Sequence, residues 1–174
     1  MKALVVYESL FGNTEEVARA VADGLSAGMD VDVVEVGSAQ APLVDLVDLV
    51  VVGGPTHAFS MTRSSTREDA VRQGATVGST ARGVREWLED LHAGPHSEYV
   101  ATFDTRVAKV RHLPGSAARA AAKGLRRLGY APAARPESFF VEDVSGPLLP
   151  GEVDRARSWG ERLAAGARAR AHLT

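Results

Sequence analysis

Six residues near the start of the chain, Ser9-Leu10-Phe11-Gly12-Asn13-Thr14, combine hydroxyl, amide and glycine positions between an apolar run and a helical pattern. A tight turn that feeds a helix points several unpaired backbone N–H groups at one spot, with the helix dipole behind them. Ser9, Asn13 and Thr14 add side-chain donors, and Gly12 lets the backbone close on an anion. No Gly-Lys-Ser/Thr follows, so this is not a Walker loop, and the glycine triplet of a dinucleotide fingerprint is missing. The loop holds no lysine or arginine, so an anion here meets neutral donors. That suits a permanently bound phosphomonoester better than a phosphoryl group in transfer. The same residues also make an ordinary N-cap behind a glycine turn. Taken alone, the loop leaves both readings open.

Other chemistries find little support. The chain has no cysteine, which excludes disulfides, thiolate metal sites and cysteine nucleophiles. His92, His96, His112 and His172 lack metal-ligand spacing and read as surface residues, so no metal is expected. Asp45 and Asp48 read as turn residues, and no nucleophile has a His/Asp constellation around it. Trp87 and Trp159 fall on or beside inward helix faces, where packing explains them.

The elements that must position the loop are readable by period. Apolar, β-branched runs at Ala3–Tyr7, Val31–Val36, Leu46–Val52, Tyr99–Phe103 and Ser138–Val141 predict five strands. Helical patterns alternate with them at about Thr14–Ala27, Val84–Leu91, Ala117–Leu128 and Glu152–Arg170, with Gly129 as a C-cap. Pro42-Leu43-Val44-Asp45 leaves room for only a short helix. This alternation predicts an α/β fold, a doubly wound five-stranded parallel sheet of order 2-1-3-4-5 with helices on both faces. Residues 1–174 read as one domain, with no repeat or internal boundary. The least regular stretch, Arg63–Ser79, is too polar for core and is expected to be a mobile insert near the site.

Charge and hydropathy narrow the setting. The net charge is −2, but residues 101–174 hold 13 basic and 7 acidic side chains. Much of that excess lies in helical stretches such as Arg119-Lys123-Arg126-Arg127, read here as a solvated helix face. No aromatic residues interleave with those arginines, so nucleic acid is not an expected partner. Glu8 cuts short the first apolar run, no cleavage site follows, and no run is long enough to span a bilayer. A soluble, cytoplasmic protein is expected.

The segment Tyr7-Glu8-Ser9-Leu10-Phe11-Gly12-Asn13-Thr14-Glu15 resembles the FMN-phosphate loop of flavodoxins and of flavodoxin-like domains in flavodiiron proteins and quinone reductases. Phe11 stands where the commonest form has threonine, which removes one hydroxyl donor. Flavodoxin is a known example of the expected strand order, with FMN at the switch between strands one and three. The strand-three end, Val52-Gly53-Gly54-Pro55-Thr56-His57-Ala58-Phe59-Ser60-Met61, is similar to the Gly-x-Pro-Thr loop beside the isoalloxazine ring. The resemblance implies ring contacts from Pro55, Thr56, His57, Ala58 and Phe59. Phe103-Asp104-Thr105-Arg106 is placed as the second ring-contacting loop, through backbone atoms and the aliphatic part of Arg106.

What the resemblance implies is an FMN-binding electron-transfer protein with no catalytic side chain. Its loop after strand three would control the proton on flavin N5. Its partners would be redox proteins, a donor of the flavodoxin- or ferredoxin-reductase type and an acceptor. The alternative is an FMN-dependent NAD(P)H/quinone or protoporphyrinogen-type oxidoreductase, with the 63–79 insert roofing a substrate pocket. A binding module that has lost the flavin is disfavoured by the intact Ser9, Gly12, Asn13 and Thr14.

Overall fold

A computed structural model of the protein describes residues 1–39 and 47–172. The strands are β1 (Lys2–Tyr7), β2 (Asp30–Glu35), β3 (Leu49–Pro55), β4 (Tyr99–Val107), β5 (Ala131–Pro132) and β6 (Glu137–Val141). The helices are α1 (Asn13–Leu25), α2 (Ser64–Arg72), α3 (Val84–Glu89), α4 (Ala117–Leu128) and α5 (Glu152–Ala171). All strand pairs are parallel, in the order β2-β1-β3-β4, and β5 and β6 share the fifth position beside β4. This is the doubly wound order expected from the sequence.

Alternation along β1 and β3 divides the core in two. Val5, Leu49 and Val51 point to the layer of α1 and α5, while Leu4, Val6, Val50 and Val52 point to that of α3 and α4. Both faces are covered, so these strands read as nearly continuous apolar runs. Trp159 and Trp87 fill opposite layers, each almost wholly buried, as their helix positions imply. Among the described residues, no helix is long and apolar enough to cross a membrane.

Several boundaries differ from expectation. β3 continues through Gly53 and Gly54 because its ladder with β4 runs on to Pro55, and the Phe103 ring fills the space that a side chain at Gly53 would need. β4 likewise runs on to Val107, so 103–106 is strand rather than loop. The fifth strand is split, since Pro132 and Pro136 lack the N–H that a continuous ladder needs. The stretch expected to be a mobile insert contains the helix α2. Its sequence hides it: only Arg67 and Ala70 are buried, too few for an apolar period to register. The short helix expected at Pro42–Asp45, the start of strand three at Leu46, and Asp45 lie outside the described residues. His96 is not a plain surface residue either; its ring stacks on Tyr130 at 3.6 Å.

The closest helix pair is α1 against α5, where the two backbones meet at Gly24 and Gly160. A Cβ on Gly24 would collide with the Arg157 carbonyl, and one on Gly160 with that of Val21. Gly24→Ala and Gly160→Ala should therefore each lower stability by at least about 1–3 kcal/mol in urea unfolding, as overpacking does. Gly166→Ala, which meets only an arginine side-chain end on the same helix, should be tolerated.

Candidate functional site

The carboxyl ends of β1, β3 and β4 open into one cleft of about 280 Å³. Such a crevice forms where the chain leaves neighbouring strands in opposite directions, here β1 toward α1 and β3 toward the other face. One wall is the loop into α1, through Leu10, Phe11, Asn13 and Thr14. Opposite lie Pro55, Thr56, His57 and Ala58, and the β4 end adds Thr105, Arg106 and Val107.

The α1 end is built as the sequence suggested. Gly12 takes the left-handed conformation at φ 90°, and no side chain caps the helix. A Cβ on Gly12 would project into open space. The first-turn N–H groups therefore face a concave space with the positive end of the helix dipole behind them. Ser9 also shapes the turn, and its own hydroxyl proton stays available to donate. Its buried hydroxyl accepts the Gly12 N–H at 3.1 Å and so closes the turn from within. The Thr14 hydroxyl bonds that of Thr105 at 2.7 Å, tying α1 to β4 under the cleft. Asn13 lines the cleft and leaves no room for a side chain at Gly146.

The loop after β3 is a two-residue hairpin. His57 and Ser60 exchange both backbone hydrogen bonds, at 3.0 and 3.1 Å. Ala58 and Phe59 between them have φ of 46° and 66°. Two non-glycine residues in the left-handed region store strain, which persists only where the surroundings impose it. Phe59 is 53% exposed and is not part of the cleft lining. His57 lies in the cleft, and burial holds its pKa below the usual histidine value, so it is neutral at pH 7. The Thr56 hydroxyl donates to Asp104 at 2.9 Å and accepts the Ala117 N–H at 2.8 Å. It is thus committed to the start of α4, leaving its methyl and backbone for the cleft.

On β4, position along the strand separates the four expected residues, the last two lying nearer its carboxyl end. Phe103 goes into the core between Phe139 and Trp159, and Asp104 is buried under Thr56, Ser116 and the Ala118 N–H. Only Thr105 and Arg106 reach the cleft. Arg106 donates from Nη2 to the Val110 and Leu113 carbonyls, while its buried Nε has no partner.

The fourth wall is supplied by Thr66, Asp69, Ala70 and Gln73 of α2, in the stretch the sequence placed near the site without marking its helix or these residues. What fixes α2 there is a buried charge network. Arg67, with no exposed surface, donates to the Thr80 carbonyl, the Thr62 hydroxyl and Glu86 at 2.8, 2.9 and 3.0 Å. Thr62 passes its own proton toward Glu8 at 2.5 Å, and Glu8 also accepts the Val84 N–H at 2.9 Å. Burial raises the Glu8 pKa, partly offset by those hydrogen bonds and the Arg67 charge. Among the described residues there is no cluster suited to a metal ion.

The uncapped helix end, the open space at Gly12 and the unpartnered Arg106 Nε fit a phosphorylated ligand with a flat body beside the hairpin. The family model for flavodoxin matches residues 5–76, which include both of these loops. No curated protein matches by sequence. Flavodoxin 1 from Bacillus cereus is similar in structure at TM-score 0.68 and 16% identity, covering 95% of this chain and 98% of its own. The Streptococcus pneumonia TIGR4 flavodoxin gives 0.67 and 21%, covering 95% and 99%. The flavodiiron protein from Giardia intestinalis gives 0.61 and 19% over 97% of this chain, but only 36% of its own.

The charge network yields a prediction. Arg67→Met leaves the buried Glu8 without its cation and should cost about 3–5 kcal/mol of stability. Glu8 itself can be isolated by pH. Its folded pKa is raised, so its contribution is complete below the ordinary carboxylate range and lost as pH rises through the folded value. The stability difference between Glu8→Gln and wild type should accordingly shift in the variant's favour as pH rises through that value. A pH-independent difference would contradict this.

Proposed function

We propose that residues 1–174, which share the flavodoxin fold and match the flavodoxin family model over 5–76, form one unit holding one FMN and exchanging electrons with redox proteins. The observation that carries the reading is the uncapped N-terminus of α1 opening into the same cleft as the hairpin after β3. FMN, when bound, supplies reversible one- and two-electron redox chemistry. The protein supplies binding, orientation and electrostatics.

In this reading the first-turn N–H groups of Asn13 and Thr14 hold the phosphate, with the Thr14 hydroxyl and Asn13 amide beside them. Ser9 and Gly12 shape that turn. Pro55, Thr56, His57 and Ala58 flank the ring, and the hairpin holds their backbone groups in place. Neutral His57 offers one ring donor and one acceptor without adding charge. Arg106 adds a fixed positive charge to the cleft wall, which favours uptake of negative charge there. The proposed partners are a reductase-type electron donor and an acceptor protein.

A second reading is favoured by one specific observation. Helix α2 contributes Thr66, Asp69, Ala70 and Gln73 to the cleft, a wall that could orient a small organic substrate such as a quinone.

Thr14→Ala should weaken FMN binding by about 1.5–3 kcal/mol, the usual range for a hydrogen bond to a charged group. Calorimetry on the folded variant checks this, and riboflavin should bind wild type far more weakly than FMN. Stopped-flow mixing of the FMN-loaded protein with NADH and NADPH separates the two roles. Slow direct reduction, with fast reduction through a flavodoxin or ferredoxin reductase, is expected of a carrier. Rapid nicotinamide reduction followed by quinone turnover would establish the reductase instead.

A further inference from the structure

A second concavity, of about 510 Å³, lies beside α4 and away from the cleft. It exists because of the split in the fifth strand. β5 ends with Pro132 opposite Val100, and β6 begins with Glu137 opposite Phe103. The intervening Ala133–Pro136 must therefore span only Ala101 and Thr102 of β4, so the surplus chain bows away from the sheet. Between that bow and α4 lies a floor of Val100, Ala122, Pro132, Ala133 and Ala134.

The rim is entirely basic. Arg119, Lys123 and Arg126 share one face of α4 and all line the groove, and Arg135 faces them from the bow. Among the described residues, none of these four pairs with a carboxylate. No acidic side chain lines the groove. Like charges spaced three and four apart on a helix repel one another, and nothing in the protein offsets them here. The volume falls in the range of small-molecule sites, and the combination of apolar floor with convergent polar groups is the usual make-up of one. Arginines read in the sequence as a solvated helix face thus become one wall of a binding groove.

We propose that this groove binds a small amphipathic organic anion, a carboxylate or phosphate monoester on an apolar body. The acid group meets the arginines and Lys123, and the body lies over the alanine and proline floor. The site is separate from the FMN cleft and does not depend on flavin binding.

Octanoate and octyl phosphate, added to the isotopically labelled protein as purified, test this by amide chemical shifts. Saturable shifts are expected at Ala122, Ala133 and Ala134, with none at Asn13, Thr56 or Ala58. The double variant Lys123→Glu/Arg126→Glu, checked for native circular dichroism, should bind about tenfold or more weakly, because two charge-assisted contacts are lost. Octanol should bind much more weakly than either anion. Equal binding of octanol, or unchanged affinity in the folded double variant, would overturn the proposal. So would shifts confined to the FMN cleft. Shifts at these alanines with a glutamate-rich peptide but with neither octyl compound would overturn it too, in favour of an acidic protein segment.

Discussion

The guanidinium of Arg67 is buried without solvent, and it has to be satisfied. A charge in that position is tolerable only when paired and hydrogen-bonded on every side. Its partners come from Thr62 after β3, from the carbonyl of Thr80, and from Glu86 on α3, with Glu8 at the end of β1 behind Thr62. Arg85 adds bonds to the Met61 and Thr62 carbonyls. The ends of β1 and β3, the Thr80 loop and α3 are thereby locked to α2 at the carboxyl edge of the sheet. The cleft wall formed by α2 follows from that lock, because the helix has almost no apolar face to hold it there.

The same edge concentrates the other departures from ordinary backbone. Gly12 turns left-handed to start α1, and Ala58 and Phe59 do so without glycine's freedom. Thr14 and Thr105 join two elements across the floor, while Asp104, Thr56 and Ser116 gather the start of α4. Strain and buried polar groups cost stability. Their concentration beside one cleft is how a rigid sheet presents fixed donors to a ligand.

The strand order, four of the helices and the α1 loop were legible because each leaves a local mark. Val50 to Val52 are apolar on both faces of a covered sheet, and Gly129 sits at a left-handed helix end as its sequence position suggested. What stayed hidden depended on distant residues. Period reasoning finds apolar stripes, and α2 has none. Where β3 and β4 stop depends on their ladders with neighbouring strands, which pair Pro55 with Thr105 and Val107 with Val141. Ser9, Thr56 and Asp104 are polar residues near the cleft whose bonds turn inward, and composition cannot tell an inward hydroxyl from an outward one. The basic side of α4 was visible, but the groove beneath it needed the register of β5 and β6.

In the function proposed here, FMN sits across the β1–β3 crevice with its phosphate on the start of α1. Titrating FMN into the labelled protein and following amide shifts tests that most directly. The largest changes are expected at Gly12, Asn13, Thr14 and Glu15, together with His57, Ala58 and the Thr105–Arg106 pair, saturating at one FMN per chain. Saturable binding that leaves Gly12 to Glu15 unmoved, or no binding at all, would contradict it.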